Sequence, residues 1–210
     1  MLATRGKPSI GFDTDQKISR QQAKDLFSAG FLFAGRYLRL PGNNSSEDID
    51  RNELEDLTNA GLQVLLFQHV RQPGWHPSAS RGELDAMEAV QHAKELDGPE
   101  NYHIVLDLEG VSGSSDDTFA HATEWCQYVC SNDLKAAIYV GFGVPLTSAQ
   151  LYAIQHANQY IRGGSVRLEV DTRGYSVKQF YPQVTICGVT IDVDIMLGDQ
   201  LGDFPIMISG

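Results

Sequence analysis

Cysteine is scarce in this 210-residue chain: Cys126, Cys130 and Cys187 are the whole set. An odd, sparse complement is no disulfide framework, so the fold must rest on a core. Cys126 and Cys130 stand four apart in a predicted helix and are expected simply to pack. Positive charge is also short. Sixteen Lys and Arg face 27 Asp and Glu, for a net charge of −11. That excludes the basic stripe a nucleic-acid partner calls for and leaves no polybasic handle for an anionic membrane. No apolar run approaches the length of a membrane span, so no membrane insertion is expected. Met1 to Ile10 contains Arg5 and Lys7 but no apolar h-region, the mark of a secretory signal. No G-x-G-x-x-G follows the first strand, which argues against a dinucleotide fold. The histidines show no metal-ligand spacing. Low-complexity linkers and internal repeats are missing too, so residues 1–210 are expected to form a single domain.

What remains is an ordinary globular composition, 42% hydrophobic and 9% aromatic, arranged as apolar runs that alternate with helical patterns. Strands are predicted over Ser9–Asp13, Phe31–Leu38, Gln63–Val70, Tyr102–Glu109, Lys135–Phe142, Val166–Val170, Ser176–Tyr181 and Val189–Met196. Helices are predicted over Ser19–Ala29, Asp50–Ala60, Arg81–Leu96, Asp116–Cys130 and Thr147–Tyr160. Ser19 reads as an N-cap, Asp50 with Glu53 as a capping box, and Gly30 and Gly61 as stops. Strict βα alternation implies a parallel sheet, and eight strands imply closure. The expected fold class is therefore α/β, a TIM-like barrel of eight strands with five helices. Helices are missing between the last three strands, where the spacers are too short for a crossover helix.

His103-Ile104-Val105-Leu106-Asp107-Leu108-Glu109-Gly110 is the stretch that carries chemistry. On a strand, Asp107 and Glu109 share a face with backbones roughly 6.6 Å apart. Two carboxylates where a buried strand opens into a loop suit acid catalysis on a glycosidic bond. In such a barrel chemistry gathers at the strand C-terminal ends. Asp13 ends the first strand, and Asp192 and Asp194 fall in the eighth. Gln68-His69, Tyr139 and Gln179 occupy strands three, five and seven. Asp13, Asp107, Glu109 and Asp192 are thus the candidate catalytic set. His69, Tyr139, Gln179, Trp75 and Asp194 are candidate substrate contacts. Trp75, Tyr139, Phe142 and Tyr181 would form an aromatic floor, and Asp15 ranks below Asp13 as a loop-orienting acid. No metal or organic cofactor is called for.

Ile10-Gly11-Phe12-Asp13, Phe67-Gln68-His69-Val70, Val105-Leu106-Asp107-Leu108-Glu109 and Ile138-Tyr139-Val140-Gly141 stand in one order. Val177-Lys178-Gln179-Phe180, Gly188-Val189 and Ile191-Asp192-Val193-Asp194 follow them. Together they resemble the family 25 glycoside hydrolases, the Chalaropsis-type lysozymes, and more closely their relatives, the glycoside-hydrolase-like domain family 1906. The resemblance covers nearly the whole chain. One departure is expected at the sixth strand: Val166–Asp171 stands where those lysozymes carry a Trp and small residues. The resemblance implies cleavage of the β-1,4 bond after N-acetylmuramic acid in peptidoglycan, with Glu109 as general acid. Asp107 would stabilise the oxocarbenium or steer the N-acetyl group. With no signal of the usual kind, a wall hydrolase is expected to be a phage lysin, a secreted effector or a chain whose signal has been removed, cytoplasmic before release and acting in the periplasm or cell wall, with a delivery machine or immunity partner left open. Two other readings stand beside it: a glycan-binding barrel without turnover, and a metal-dependent phosphodiesterase.

Overall fold

The computed structural model describes residues 1–42 and 45–210. In chain order the elements are β1 (Leu2–Arg5), β2 (Ser9–Asp13), α1 (Arg20–Ser28), β3 (Phe33–Leu38), α2 (Arg51–Asn59), β4 (Gln63–Gln68), α3 (Ala79–Glu95), β5 (His103–Leu108), α4 (Ser115–Cys130), β6 (Lys135–Val140), α5 (Ser148–Ala153), β7 (Ala157–Arg162), β8 (Val177–Ile186), β9 (Val189–Met196) and β10 (Ile206–Ser209). Strands β2 to β8 pair in parallel, and β9 closes the ring by pairing with both β8 and β2. The result is an eight-stranded barrel with five helices, and among the described residues none lies between β7, β8 and β9.

Alternation along each strand builds two apolar layers. On β5, Ile104, Leu106 and Leu108 face outward and join Trp125, Val129 and Ala89 beneath the helices. Val105 faces inward and meets Phe33, Leu65, Phe67, Ala137, Ile161, Val177 and Met196, which fill the barrel's lower half. Each such side chain, removed fully from water, contributes about 1.5–3 kcal/mol. The same inward register carries Asp107 and then Glu109 to the open end. The interior is therefore an apolar plug below and a row of acids above.

Helix starts follow their caps. Ser19, Asp50, Ser78, Ser114 and Thr147 each accept the N–H three residues on. The box at Asp50 is only half formed. Glu53 does not reach back to Asp50 but turns inward to Arg36 and the Ile18 N–H. A buried guanidinium outcompetes the exposed cap.

Three expectations are corrected. The sixth barrel strand is Ala157–Arg162, taken above as the end of a helix, and Val166–Val170 is irregular chain whose two valines are buried. Helix α5 stops at Ala153, Ile154 is already extended, and His156 takes a left-handed φ of 67° that no helix continues through. The departure seen at strand six therefore concerned the wrong segment. Second, the sheet is not wholly parallel. Cys187 and Gly188 both have positive φ (53° and 75°), which suits a tight hairpin, and β9 runs antiparallel. Third, β1 and β10 were not foreseen. They form an antiparallel pair joined to the barrel through Ile208 opposite Val64.

Candidate active site

Asp13, Asp107, Glu109 and Asp192 line one cavity of about 430 Å³ at the barrel mouth, with Asp15, Tyr37, His69, Gln183 and Thr190 around them. That volume lies in the range of small-ligand sites. Among the described residues no lysine or arginine lines it. Strand register explains the convergence. Asp13 on β2 is directly opposite Asp192 on β9, and Asp107 on β5 is opposite Tyr139 on β6. Residues paired in this way point to the same face, here the interior.

Asp13 is held from two sides. The Tyr37 hydroxyl donates to Oδ1 (3.0 Å) and Gln179 Nε2 donates to Oδ2 (2.8 Å). Gln179 Oε1 accepts from the Tyr139 hydroxyl (2.9 Å) and the Gly164 N–H (3.3 Å). Those two donors fix which end of the amide is oxygen, so Nε2 must face Asp13. Glu109 has room because residue 141 is glycine: a Cβ there would lie 2.3 Å from Glu109 Cβ. Trp75 Nε1 donates to the Glu109 carbonyl oxygen (2.8 Å). Asp107 Oδ1 is buried with no hydrogen-bond partner, as are both Asp194 carboxylate oxygens.

Burial and mutual repulsion keep protons in this cavity. Burial lifts the Asp107 carboxyl well above the ordinary range, and the charges of Glu109 and Asp13 add to it. Glu109 is raised by burial and then by Asp192. Asp13 is pushed up to about 6 by burial, with the Gln179 hydrogen bond pulling the other way. Asp194 is raised well above the carboxylate range by burial and by the Asp13 charge. Asp192 is raised by burial, opposed by a hydrogen bond from Gln183. Burial lowers His69, which stacks on Tyr37 with ring centroids 4.7 Å apart and lies 3.2 Å from Asp48.

These raised values set a pH dependence of stability. A carboxyl that binds its proton more tightly when folded stabilises fully below the unfolded pKa, and loses that stabilisation as pH rises through the folded value. For Asp13 the window runs from 3.8 to about 6, a loss on the order of 2–3 kcal/mol. Asp194→Asn keeps the side chain's size and removes a buried carboxyl that must hold a proton to stay neutral. Its melting temperature is expected to exceed wild type at pH 7.5 and to converge with it at pH 4. Thermal melts across that range check this; an equal or steeper loss with pH in the variant would count against it.

The structure separates the expected residues. His69 lines the cavity with the four acids. Tyr139, Gln179 and Asp194, expected to touch substrate, lie outside its lining; Gln179 bonds Asp13 and Tyr139 bonds Gln179. Trp75, expected to touch a sugar, is buried against His121 and lines no part of the cavity. Phe142 and Tyr181 are exposed and lie outside its lining. Tyr37 was missed. Its signal was present, a tyrosine on the inward register of a strand beside the one ending in Asp13. Among the described residues no three His, Cys, Asp or Glu side chains are grouped as a metal ion would require.

Barrel and mouth together define a glycoside hydrolase-like protein. A family model described as the Rv2525c-like, glycoside hydrolase-like domain matches residues 24–196, and the chain belongs to that family. No protein of curated function matches it in sequence. Among solved structures it is similar to an uncharacterized B. stearothermophilus protein, at 19% identity over 92% of this chain and 97% of that one, with a TM-score of 0.69. It is similar to the Mycobacterium tuberculosis Tat-secreted protein Rv2525c, at 18% identity over 93% and 98%, TM-score 0.68. It is also similar to a muramidase from Trichobolus zukalii, at 13% identity over 91% and 95%, TM-score 0.61. At these identities the likeness is one of fold.

Proposed function

We propose that the chain is a muramidase, a glycoside hydrolase that cuts the β-1,4 bond from N-acetylmuramic acid to N-acetylglucosamine in peptidoglycan. The observation that carries the reading is the pair Asp107, on the inward face of β5, and Glu109, the first residue past its end, lining a cavity with no lysine or arginine among its described residues. Glu109, raised by burial, gives its proton to the glycosidic oxygen as the C1–O bond breaks. The orphaned Asp107 Oδ1 accepts the substrate's N-acetyl N–H and turns the acetyl oxygen toward C1, where a new C–O bond forms. Water then attacks C1 as that C–O bond opens and the N-acetyl group is restored, the water's proton passes to Glu109, and configuration is retained. Asp13, fixed by Tyr37 and Gln179, and Asp192 place the sugar and the water. The fold shared with a fungal muramidase supports this, and the Tat-secreted likeness supports action outside the membrane, at the cell wall. The reason for a barrel without turnover was the altered sixth strand, and that strand is now Ala157–Arg162.

Digestion of purified peptidoglycan tests the reading. New reducing ends on N-acetylmuramic acid, first released as the β-anomer, are expected. Reducing ends on N-acetylglucosamine, or none across wall types and pH, would reject it. Tight binding to peptidoglycan without cleavage would establish the glycan-binding reading instead.

A further inference from the structure

Trp75 has no place in the cavity, yet it is tied to the residue that matters most there. Glu109 is the first residue beyond β5, and its carbonyl accepts a side-chain donor. The Gly141 N–H still reaches Leu108 O (2.9 Å), whereas Glu109 O accepts the Trp75 indole N–H (2.8 Å). That bond sets the plane of the peptide following Glu109 and hence the direction of its Cα–Cβ bond. The two loops are further laced together: Gly74 N–H donates to Gly110 O (2.7 Å) and Ser112 N–H to Trp75 O (2.8 Å).

The indole is itself gripped from outside the barrel. The Arg71 guanidinium carbon lies 5.9 Å from its ring centroid, within reach of a cation–π contact. His121 on α4 meets it edge-on with centroids 5.0 Å apart. Arg71 makes a two-pronged ion pair with Asp85 on α3, where Nη2 donates to Oδ1 at 2.6 Å. Asp85 is almost fully buried and lies 3.9 Å from His121 Nε2. Arg71 and His121 thus grip one indole whose N–H ends on Glu109, and Asp85 braces both of them from α3.

We infer that Trp75 is a positioning residue for Glu109: its N–H orients the peptide bearing the carboxyl, and the Arg71–Asp85 pair locks the indole in place. The inference rests on Glu109 being the acid of the proposed reaction. A packing residue would leave Glu109 unchanged once its ring volume is preserved.

Trp75→Phe keeps an aromatic ring against His121 and Arg71 and removes the N–H donor together with the five-membered ring; benzothienylalanine at position 75, which keeps the bicyclic volume without the N–H, is read beside it. On soluble peptidoglycan fragments, kcat is expected to fall about tenfold, the weight of one hydrogen bond, with KM within about twofold. In a protein with 13C-labelled glutamate carboxyls, the Glu109 resonance, assigned by its loss in Glu109→Gln, is expected to titrate closer to an ordinary carboxylate in Trp75→Phe. Unchanged kcat together with unchanged titration would overturn the inference. If wild type cleaves nothing, the muramidase reading fails, and the titration alone decides: a shift supports the positioning role and no shift overturns it. If Trp75→Phe does not fold, the Arg71→Gln/Asp85→Asn double variant is read in the same way. It removes both charges together, so no buried ion is left unpaired.

Discussion

Glu109→Gln is expected to leave a folded barrel that has lost about 10²- to 10⁴-fold of its turnover on peptidoglycan. The glutamine fills the same space beside Gly141, where a Cβ would already collide with residue 109, but it has no proton to give. Wild-type activity should fall as pH rises through the raised Glu109 pKa, because the ionised form is no acid. The residual activity of Glu109→Gln should lack that limb. Asp107→Asn provides the contrast. It should also lose turnover, since an amide orients the N-acetyl group less well, yet keep the falling limb because Glu109 still titrates. Part of the upward shift of Asp107 comes from the Glu109 charge, so Asp107 should ionise more readily in Glu109→Gln. Initial rates of reducing-end release from pH 4 to 9 test all of this. A Glu109→Gln enzyme as fast as wild type would reject Glu109 as the acid.

The second large effect is structural. Arg36 is wholly buried on the outward face of β3 and pairs with Glu53 on α2, whose side chain is 1% exposed. Nε donates to Glu53 Oε1 at 2.7 Å, Nη2 donates to Glu47 O at 2.7 Å, and Nη1 donates to Thr14 O. Glu53 Oε1 also accepts the Ile18 N–H (2.9 Å). Arg36→Met strands a buried carboxylate and two backbone carbonyls, at a cost of about 3–5 kcal/mol. A typical domain is stable by only about 5–15 kcal/mol. The urea midpoint should drop accordingly, and the loop from Thr14 to Ile18 beside the cavity should loosen first. Arg36→Met/Glu53→Met should recover most of the loss, because two apolar groups replace two ions. If the double variant is no better than the single one, the stranded charge is not the cause.

The sequence was legible where burial and period speak together. Asp107 and Glu109 could be placed inside the barrel because Ile104, Leu106 and Leu108 claim the other face of β5. Asp13 and Asp192 were legible for the same reason. Strand β7 was not. Ala157, Asn158 and Gln159 read as helix surface, and the break is a single histidine with positive φ, not a glycine or proline. β1 and β10 were hidden because Leu2 pairs with Ser209 across nearly the whole chain, and no local pattern reports such a partner. Trp75 was misread because its surroundings, Pro73-Gly74-Trp75, look like an exposed loop. Its true partner, the Glu109 carbonyl, is 34 residues away.

The antiparallel β9 has a consequence for how such a mouth can change. A parallel strand shows the opening only its last residues, and the chain must cross the whole barrel before returning to it. The β8–β9 hairpin leaves and re-enters at the mouth itself, contributing Gln183 on the way out and Thr190 on the way back. Its turn, Cys187-Gly188, joins only those two strands. Residues added there would lengthen one wall of the cleft while the seven parallel strands keep their stagger. Loop closure grows only slowly with length. The reach of this cleft can therefore be retuned in one continuous piece of chain, leaving the carboxylates where they are.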